Sequence, residues 1–162
     1  MRLICLILLS LSVIWTVPVS AQETSVAFGA IRQDTGAPVE VTADNLEVDQ
    51  ETGTAVFTGN VVIGQGEMRL SANRVLVVYR QEQQGIASLE ATGGVTLVSG
   101  PDAAEAQRAD YDIDAGTIIM TGDVLLTQGQ SALSSERMTV NLTDGTARMS
   151  GRVKTILNTG GQ

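Results

Sequence analysis

The residues best placed to do chemistry are three carboxylates in alternate positions, Asp110-x-Asp112-x-Asp114. Alternating carboxylates suit a hard cation such as calcium, which takes six to eight oxygen ligands. An EF-type loop starting at Asp110 would need Gly at its sixth position and Glu at its twelfth. Those positions hold Ala115 and Thr121. A spacing of two instead puts all three on one side of a strand, opposite Tyr111 and Ile113, where a solvated outer face is the plainer reading. The chain has no His and one Cys, Cys5, in 162 residues. Zinc and haem sites of the usual kinds, a Cys-His nucleophile and a Ser-His-Asp triad cannot be assembled from that inventory. Acid/base work by carboxylates alone remains chemically open, but no carboxylate pair stands on the apolar parity described below. Arg69, Arg74 and Arg80 could meet a phosphate locally, although ordinary solvated strand charges are the plainer reading. A net charge of −8 and a pI near 4.4 argue against a nucleic-acid partner. The expectation is a protein without catalytic residues, metal or cofactor.

The elements that position these residues begin after an export segment. Met1-Arg2 precedes a 15-residue apolar or small run, 3–17, and then Pro18-Val19-Ser20-Ala21-Gln22. One positive charge, a short apolar stretch and small residues at positions 19 and 21 form a secretory signal with cleavage after Ala21. The run is short for a membrane span of about 20 residues, and Cys5 lies too close to the N-terminus for a lipobox. Removal of 1–21 takes away Arg2, Cys5 and Trp15. Nine Lys and Arg then face eighteen Asp and Glu, a net −9. The exported domain, 22–157 with a short tail at 158–162, has no thiol, and its aromatics are Phe28, Phe57, Tyr79 and Tyr111. It must hold together by packing and backbone pairing.

Two patterns repeat through this domain. One is apolar-x-Gly-x-Val, at Phe57-x-Gly59-x-Val61, Ala91-x-Gly93-x-Val95, Met120-x-Gly122-x-Val124 and Met149-x-Gly151-x-Val153. The other is small-x-x-apolar-x-apolar, at Ala43-x-x-Leu46-x-Val48, Ala72-x-x-Val75-x-Val77, Ala106-x-x-Ala109-x-Tyr111 and Ser135-x-x-Met138-x-Val140. Each small residue precedes the next glycine by 16, 21, 16 and 16 residues, the longer step being absorbed by an insertion near 80–84. With a half copy at Ala27-x-Gly29-x-Ile31, there are about four and a half repeats.

Alternation with period two marks each half-repeat as a β-strand with one buried face. Ala55, Phe57, Val61 and Ile63 share a parity, as do Ile118, Met120, Val124 and Leu126. Turn residues recur every 13 to 19 positions, so strands of 9–12 residues are expected, with no long helix. Met68, Leu70 and Ala72 share one parity while Val75 and Val77 take the other. The same slip follows Ala106 and Ser135. A slip would turn the apolar set outward unless a bulge or corner intervenes, so a kink is expected just after each small residue. The recurring glycines mark tight bends or close backbone approach. A long strand kinked at mid-length can serve both walls of a curled sheet.

The stretch Ala37-Pro38-Val39-Glu40-Val41-Thr42-Ala43-Asp44-Asn45-Leu46-Glu47-Val48, with Gly53-Thr54-Ala55-Val56-Phe57-Thr58-Gly59-Asn60-Val61 and Gln65-Gly66, resembles the OstA-like domain family. The run Leu70-Ser71-Ala72-Asn73-Arg74-Val75-Leu76-Val77-Val78-Tyr79 continues the likeness, which covers roughly 26–156; the later copies are degenerate. The resemblance implies an all-β OstA-like jellyroll, an open trough that shelters the acyl chains of lipopolysaccharide. Its lining would be Leu46, Val48, Ala55, Phe57, Val61, Ile63, Val75, Val77, Leu89, Val95, Tyr111, Ile118, Met120, Val124, Met138 and Met149. It also implies edge strands, here around Val26, Phe28, Ile31, Val39, Val41, Met149 and Val153. These would pair with an inner-membrane-anchored OstA-like partner (LptC-like), with an outer-membrane translocon (LptD-like), and end to end with further copies. Arg148, Arg152 and Lys154 make the C-terminal edge more polar than that pattern. Patterning alone allows the apolar stripe to be a packed core; its aliphatic, Met-containing make-up suits acyl chains as well. A β-solenoid scaffold and, if residues 1–21 are retained, a membrane-anchored OstA-like protein are the rival readings. An outer-membrane barrel lacks its aromatic girdles here.

Overall fold

A computed structural model describes residues 24–27, 37–81 and 85–156. Eleven strands form one antiparallel sheet: β1 Thr24–Ala27, β2 Glu40–Thr42, β3 Asn45–Asp49, β4 Thr54–Gln65, β5 Met68–Tyr79, β6 Ile86–Ser99, β7 Asp102–Asp112, β8 Thr117–Gln128, β9 Ser131–Asn141, β10 Thr146–Ser150 and β11 Lys154–Ile156. The six central strands run 11–14 residues and pair in chain order from β4 to β9. Strands β2 and β3 lie along β4, and β10 and β11 lie along β9. Each pair is one bent strand interrupted at mid-length.

Every long strand is interrupted at the same level. Between the pairs Thr58↔Arg74 and Val61↔Ala72, Gly59 and Asn60 face the single residue Asn73. Gly93 and Gly94 likewise face Gln107, and Gly122 and Asp123 face Glu136. Two residues against one is a β-bulge, which bends the bulged strand. The expected kink after each small residue lies at these positions. The parity slip after Ala72 is real, with Met68, Leu70 and Ala72 buried on one parity and Val75 and Val77 on the other. Both readings of the glycines hold. The four corner glycines have φ of +78° to +86°, a region costly for residues with a Cβ, and a Cβ on Gly122 would come within 2.8 Å of the Gln107 Cβ.

The column of bulges divides the sheet into two walls. Wall A contains β3, 54–58, 74–79, 86–92, 108–112, 117–121, 137–141, β10 and β1. Wall B contains β2, 61–65, 68–72, 95–99, 102–106, 124–128, 131–135 and β11. Buried side chains of both walls form a single apolar cluster. The Tyr111 hydroxyl on wall A donates to Gln65 Oε1 on wall B at 2.7 Å, although β7 and β4 are separated in the sheet by β5 and β6. The sheet therefore folds over its own inner face.

Strand β1, which reaches only the first residue of the half copy, Ala27, lies at the far end of the sheet from β2 and β3 and pairs with β10, Thr24 opposite Met149 and Ala27 opposite Thr146. Phe28 and Ile31, like Ala21 and the export segment, fall outside the described residues. So do the whole C-terminal tail, 158–162, and residues 82–84 of the insertion.

Candidate functional site

The inner face is aliphatic because period-two alternation aims the apolar parity of each segment between the walls. Ala55, Val61, Ile63, Val75, Val77, Leu89, Val95, Tyr111, Ile118, Met120, Val124, Met138 and Met149 are all buried there. The register sets Ala109, Met120, Met138 and Met149 side by side across β7 to β10 on wall A. Three of these four are flexible, polarisable thioethers able to repack around different shapes. Toward β2 and β3 the face becomes accessible: Phe57 is half-buried, while Leu46 and Val48 are 56% and 57% exposed. Leu46 pairs with Phe57 and Val48 with Ala55, so both stand on the inner side of the trough at its open end. Val39 and Val41 are partly buried against the same cluster, as is Val153 at the opposite end.

Where wall B ends in turns, its inner face changes from apolar to polar. Gln65, Ser99 and Asp102 are buried there. Gln65 Nε2 donates to the Ala37 carbonyl at 3.1 Å while its oxygen receives the Tyr111 hydroxyl. Gln128 Nε2 donates to Asp102 Oδ2 at 3.0 Å. Burial raises the Tyr111 phenol above its ordinary range, so it stays a neutral donor across the rim. This bond is a direct tie between the tips of the two walls.

The corners carry a second polar arrangement, one that sequence patterning missed. Asn60 Nδ2 donates to Asp44 Oδ2 at 2.8 Å, Gln107 Nε2 to Asp123 Oδ2 at 2.8 Å, and Arg152 Nε to Glu136 Oε1 at 2.7 Å. In the second repeat the glycine at position 94 offers no side chain, and Asn73 Nδ2 donates to the Gly93 carbonyl at 2.6 Å instead. The partners are the residue after each small position and the residue after each glycine. The constant spacing of 16 was the available signal.

The three alternating aspartates have separate employments. Asp110 accepts from Arg108 Nε and Nη2 at 2.9 and 2.6 Å, and Glu90 joins the same guanidinium at 2.9 Å. These carboxylates raise the Arg108 pKa further. Asp112 Oδ1 receives the Ala115 amide at 2.9 Å in the β7–β8 turn. Asp114 pairs with Arg80. Strand β7 ends at Asp112, so Asp114 belongs to the turn and not to the strand face expected for it, while Ile113 packs partly buried against the core. Among the described residues, no three His, Cys, Asp or Glu side chains converge as a metal site. A depression of about 400 Å³ outside wall A, edged by Leu76, Val78 and Ile119 with Glu90 and Asp110, is shallow and open.

The two ends of the sheet differ. Strands β2 and β3 carry Glu40, Glu47 and Asp49, with Asp44 between them, and no basic residue lies in 37–53. Strands β10 and β11, with the corner between them, carry Arg148, Arg152 and Lys154 and no carboxylate. Met149, expected on an open edge, lies in a strand flanked on both sides, by β9 and by β1. In wall B, β11 pairs with β9 and has no second neighbour among the described strands.

Comparison with known proteins places this arrangement. Residues 40–146 match the family described as LptA/(LptD N-terminal domain) LPS transport protein. The lipopolysaccharide export system protein LptA of Haemophilus influenzae is 36% identical over 56 residues, covering 35% of this chain and 33% of that protein. LptH of Pseudomonas aeruginosa, a lipopolysaccharide export system protein, is 34% identical over 85 residues, covering 52% and 45%. An uncharacterized protein of Rhizobium meliloti is 27% identical over 62% of this chain and 58% of its own length. Each match thus spans less than two thirds of the relative. The crystal structure of Pseudomonas aeruginosa LptH superposes with a TM-score of 0.69 at 17% identity, over 78% of this chain and 99% of that one, and so shares the β-jellyroll fold. With the family match covering most of the described residues, the chain belongs to the LptA/LptD N-terminal domain family, the OstA-like group of lipopolysaccharide-transport proteins.

Proposed function

We propose that this protein is a periplasmic carrier that shelters the acyl chains of lipopolysaccharide between its two walls. In that role it passes them along a bridge from an inner-membrane-anchored OstA-like protein (LptC-like) to the outer-membrane translocon (LptD-like). The observation that carries this reading is a continuous aliphatic inner face that becomes accessible at one end of the sheet, at Leu46, Val48 and Phe57. Each methylene moved from water onto such a face contributes about 0.8 kcal/mol, so a handful of chain carbons supplies several kcal/mol without any headgroup contact. Net charge favours hydrophobic capture, since a −9 protein repels phosphorylated headgroups at long range.

Bridging follows from the sheet's ends. Edge strands with unused backbone groups add further strands, and contact between unlike ends builds a line of subunits. Export is the function of residues 1–21, with cleavage after Ala21; N-terminal sequencing of the exported protein tests this. The carrier reading is tested with a photo-crosslinking residue at Phe57 or Met120 in cells that export lipopolysaccharide. Lipopolysaccharide adducts are expected at both positions, and their absence from both refutes it.

A further inference from the structure

We propose that strand β1 is an exchangeable cap, occupying on β10 the place that strand β3 of a second copy of this chain takes when subunits join. This rests on the end-to-end reading above and specifies its joint. The first support is the phase of the repeat. The chain alternates strands of the small-residue type with strands of the glycine type. From β2 onward, the described strands run from the former type at β2 and β3 to the latter at β10 and β11. A second copy placed after β11 therefore continues the alternation unchanged, its β3 antiparallel to β10 and its β2 antiparallel to β11.

The register follows from the pairings already present. The residue three after each small position faces the residue two before each glycine: Leu46↔Phe57, Val75↔Phe57, Ala109↔Met120 and Met138↔Met120. Applied to Gly151, the rule puts Leu46 of the incoming copy opposite Met149, Val48 opposite Ala147 and Glu47 opposite Arg148. In the free chain, Thr24 faces Met149, Ser25 faces Arg148 and Val26 faces Ala147. Strand β1 thus holds the same positions in the same direction.

Charge and exposure agree with this occupant. The incoming edge brings Glu40, Asp44, Glu47 and Asp49 to an edge bearing Arg148, Arg152 and Lys154, and cross-strand opposite charges stabilise the register and speed encounter. The exposed side chains of Leu46 and Val48 would gain a neighbouring strand on the inner face. The cap is also smaller than its replacement. Strand β1 covers four residues in wall A, whereas β3 offers five there and β2 offers three more against β11. Strand β11 can seat the incoming β2 first, and β3 then displaces β1 pair by pair. The β10 edge of a lone subunit is protected from random pairing, and joining is selective for a strand that matches both walls.

The test uses two cysteine pairs in a Cys5→Ser background, with association followed by sedimentation velocity. Ser25→Cys with Arg148→Cys closes a bond within one chain when oxidised and locks the cap. Asn45→Cys with Ser150→Cys, opposite one another in the derived register and at opposite ends of one subunit, can bond only between subunits. The proposal expects the locked protein to remain monomeric where its reduced form and the wild type associate, and the second pair to form oxidised ladders. Glu47→Cys with Ser150→Cys, out of register, should give at least tenfold less ladder. Association of the oxidised, locked protein equal to that of its reduced form overturns the cap and leaves end-to-end joining intact. A wild type that stays monomeric at every concentration overturns the joining itself and the cap with it.

Discussion

The bulge at Gly93 and Gly94 permits a measurement in which one contact is varied at nearly constant backbone conformation. The two glycines have φ of +86° and +83°, so an alanine at either meets a similar left-handed penalty of about 1–2 kcal/mol. Their surroundings differ. A Cβ on Gly93 would sit 2.9 Å from the Asn73 Cβ, while one on Gly94 meets nothing within 4 Å. The Asn73 Cβ is fixed to the backbone of β5, so relief requires strands β5 and β6 to separate at the corner. Overpacking of that kind adds about 1–3 kcal/mol. Gly94→Ala should thus destabilise by about 1 kcal/mol and Gly93→Ala by about 2–5 kcal/mol. The midpoint of thermal unfolding should fall by about 3–4 °C per kcal/mol for a domain of this size. Gly94→Asn should be nearly neutral, because Asn60, Asp123 and Arg152 hold the equivalent position at φ of 44° to 50°. Urea unfolding of the three variants, with m-values compared, checks the ranking. If Gly93→Ala and Gly94→Ala lose the same stability within 0.5 kcal/mol, close approach plays no part in the corner and the two-wall geometry argued from it is wrong; that threshold is about the scatter expected between independent sites.

Four further outcomes follow from the same structure. Met138→Ala removes a fully buried side chain between Met120 and Met149 and should cost about 2–5 kcal/mol in chemical denaturation; a loss under 1 kcal/mol would mean that the methionine row is not packed. Tyr111→Phe takes the wall-to-wall donor from buried Gln65 and should cost about 1–2 kcal/mol. Because the Tyr111 phenol is raised in the folded state, its contribution is complete below the unfolded value near 10 and is lost as pH climbs through the folded value. Stability of the wild type should therefore fall with pH above 10 more steeply than that of Tyr111→Phe, read from denaturation midpoints between pH 9 and 11. Arg108→Ala breaks ion pairs with partners that remain substantially solvated, so a loss of at most about 1 kcal/mol, shrinking in high salt, is expected. Glu47→Arg should weaken end-to-end association and the added Arg148→Glu should restore it; failure of the double variant to recover would remove the charge pairing from the joint.

Local pattern carried most of the fold and little of its closure. Alternation at Ala55, Val61 and Ile63 and the slip from Ala72 to Val75 located strands, inner face and corners, because side-chain parity and bulges are local consequences of the pleat. Parity tells which face a side chain takes but not how deep it lies. Leu46 and Val48 have the inward parity of Val75 and Val77, yet they stand exposed because, among the described strands, β3 has a neighbour on one side only, β4. The crossing of β1 to β10 was not legible at all. No local rule reports which of two distant edges a short strand will choose. The corner clamps from Asp44 to Asn60 and from Gln107 to Asp123 were legible in principle, since the spacing that revealed the repeat also pairs the next residue of each motif.

The filled interior bears directly on how such a trough could carry a lipid. With Met120, Met138, Val124 and Ile118 shut off from water, an acyl chain gains nothing from a waiting void and must exchange apolar contacts for apolar contacts. For the displaced side chains that exchange is close to neutral, because they leave one hydrocarbon neighbour for another, while a chain arriving from water keeps its own transfer gain. The opposing terms are separation of the walls and the bond from Tyr111 to Gln65 that ties their tips. Separation is easiest where least is tied, which is the end bearing Leu46, Val48 and Phe57, already open to water. A chain that starts there covers exposed apolar surface before it displaces any buried contact, and the methionine row can then yield by rotating side chains instead of shifting strands. Joining of subunits acts on the same end, since strands added beside β3 and β2 extend both walls and turn that open mouth into the middle of a longer trough. On this reasoning lipid access and edge pairing are coupled through Leu46 and Val48: polar replacements there should lower lipid crosslinking and subunit joining together, whereas a residue deep in the wall such as Met138 should affect the first alone.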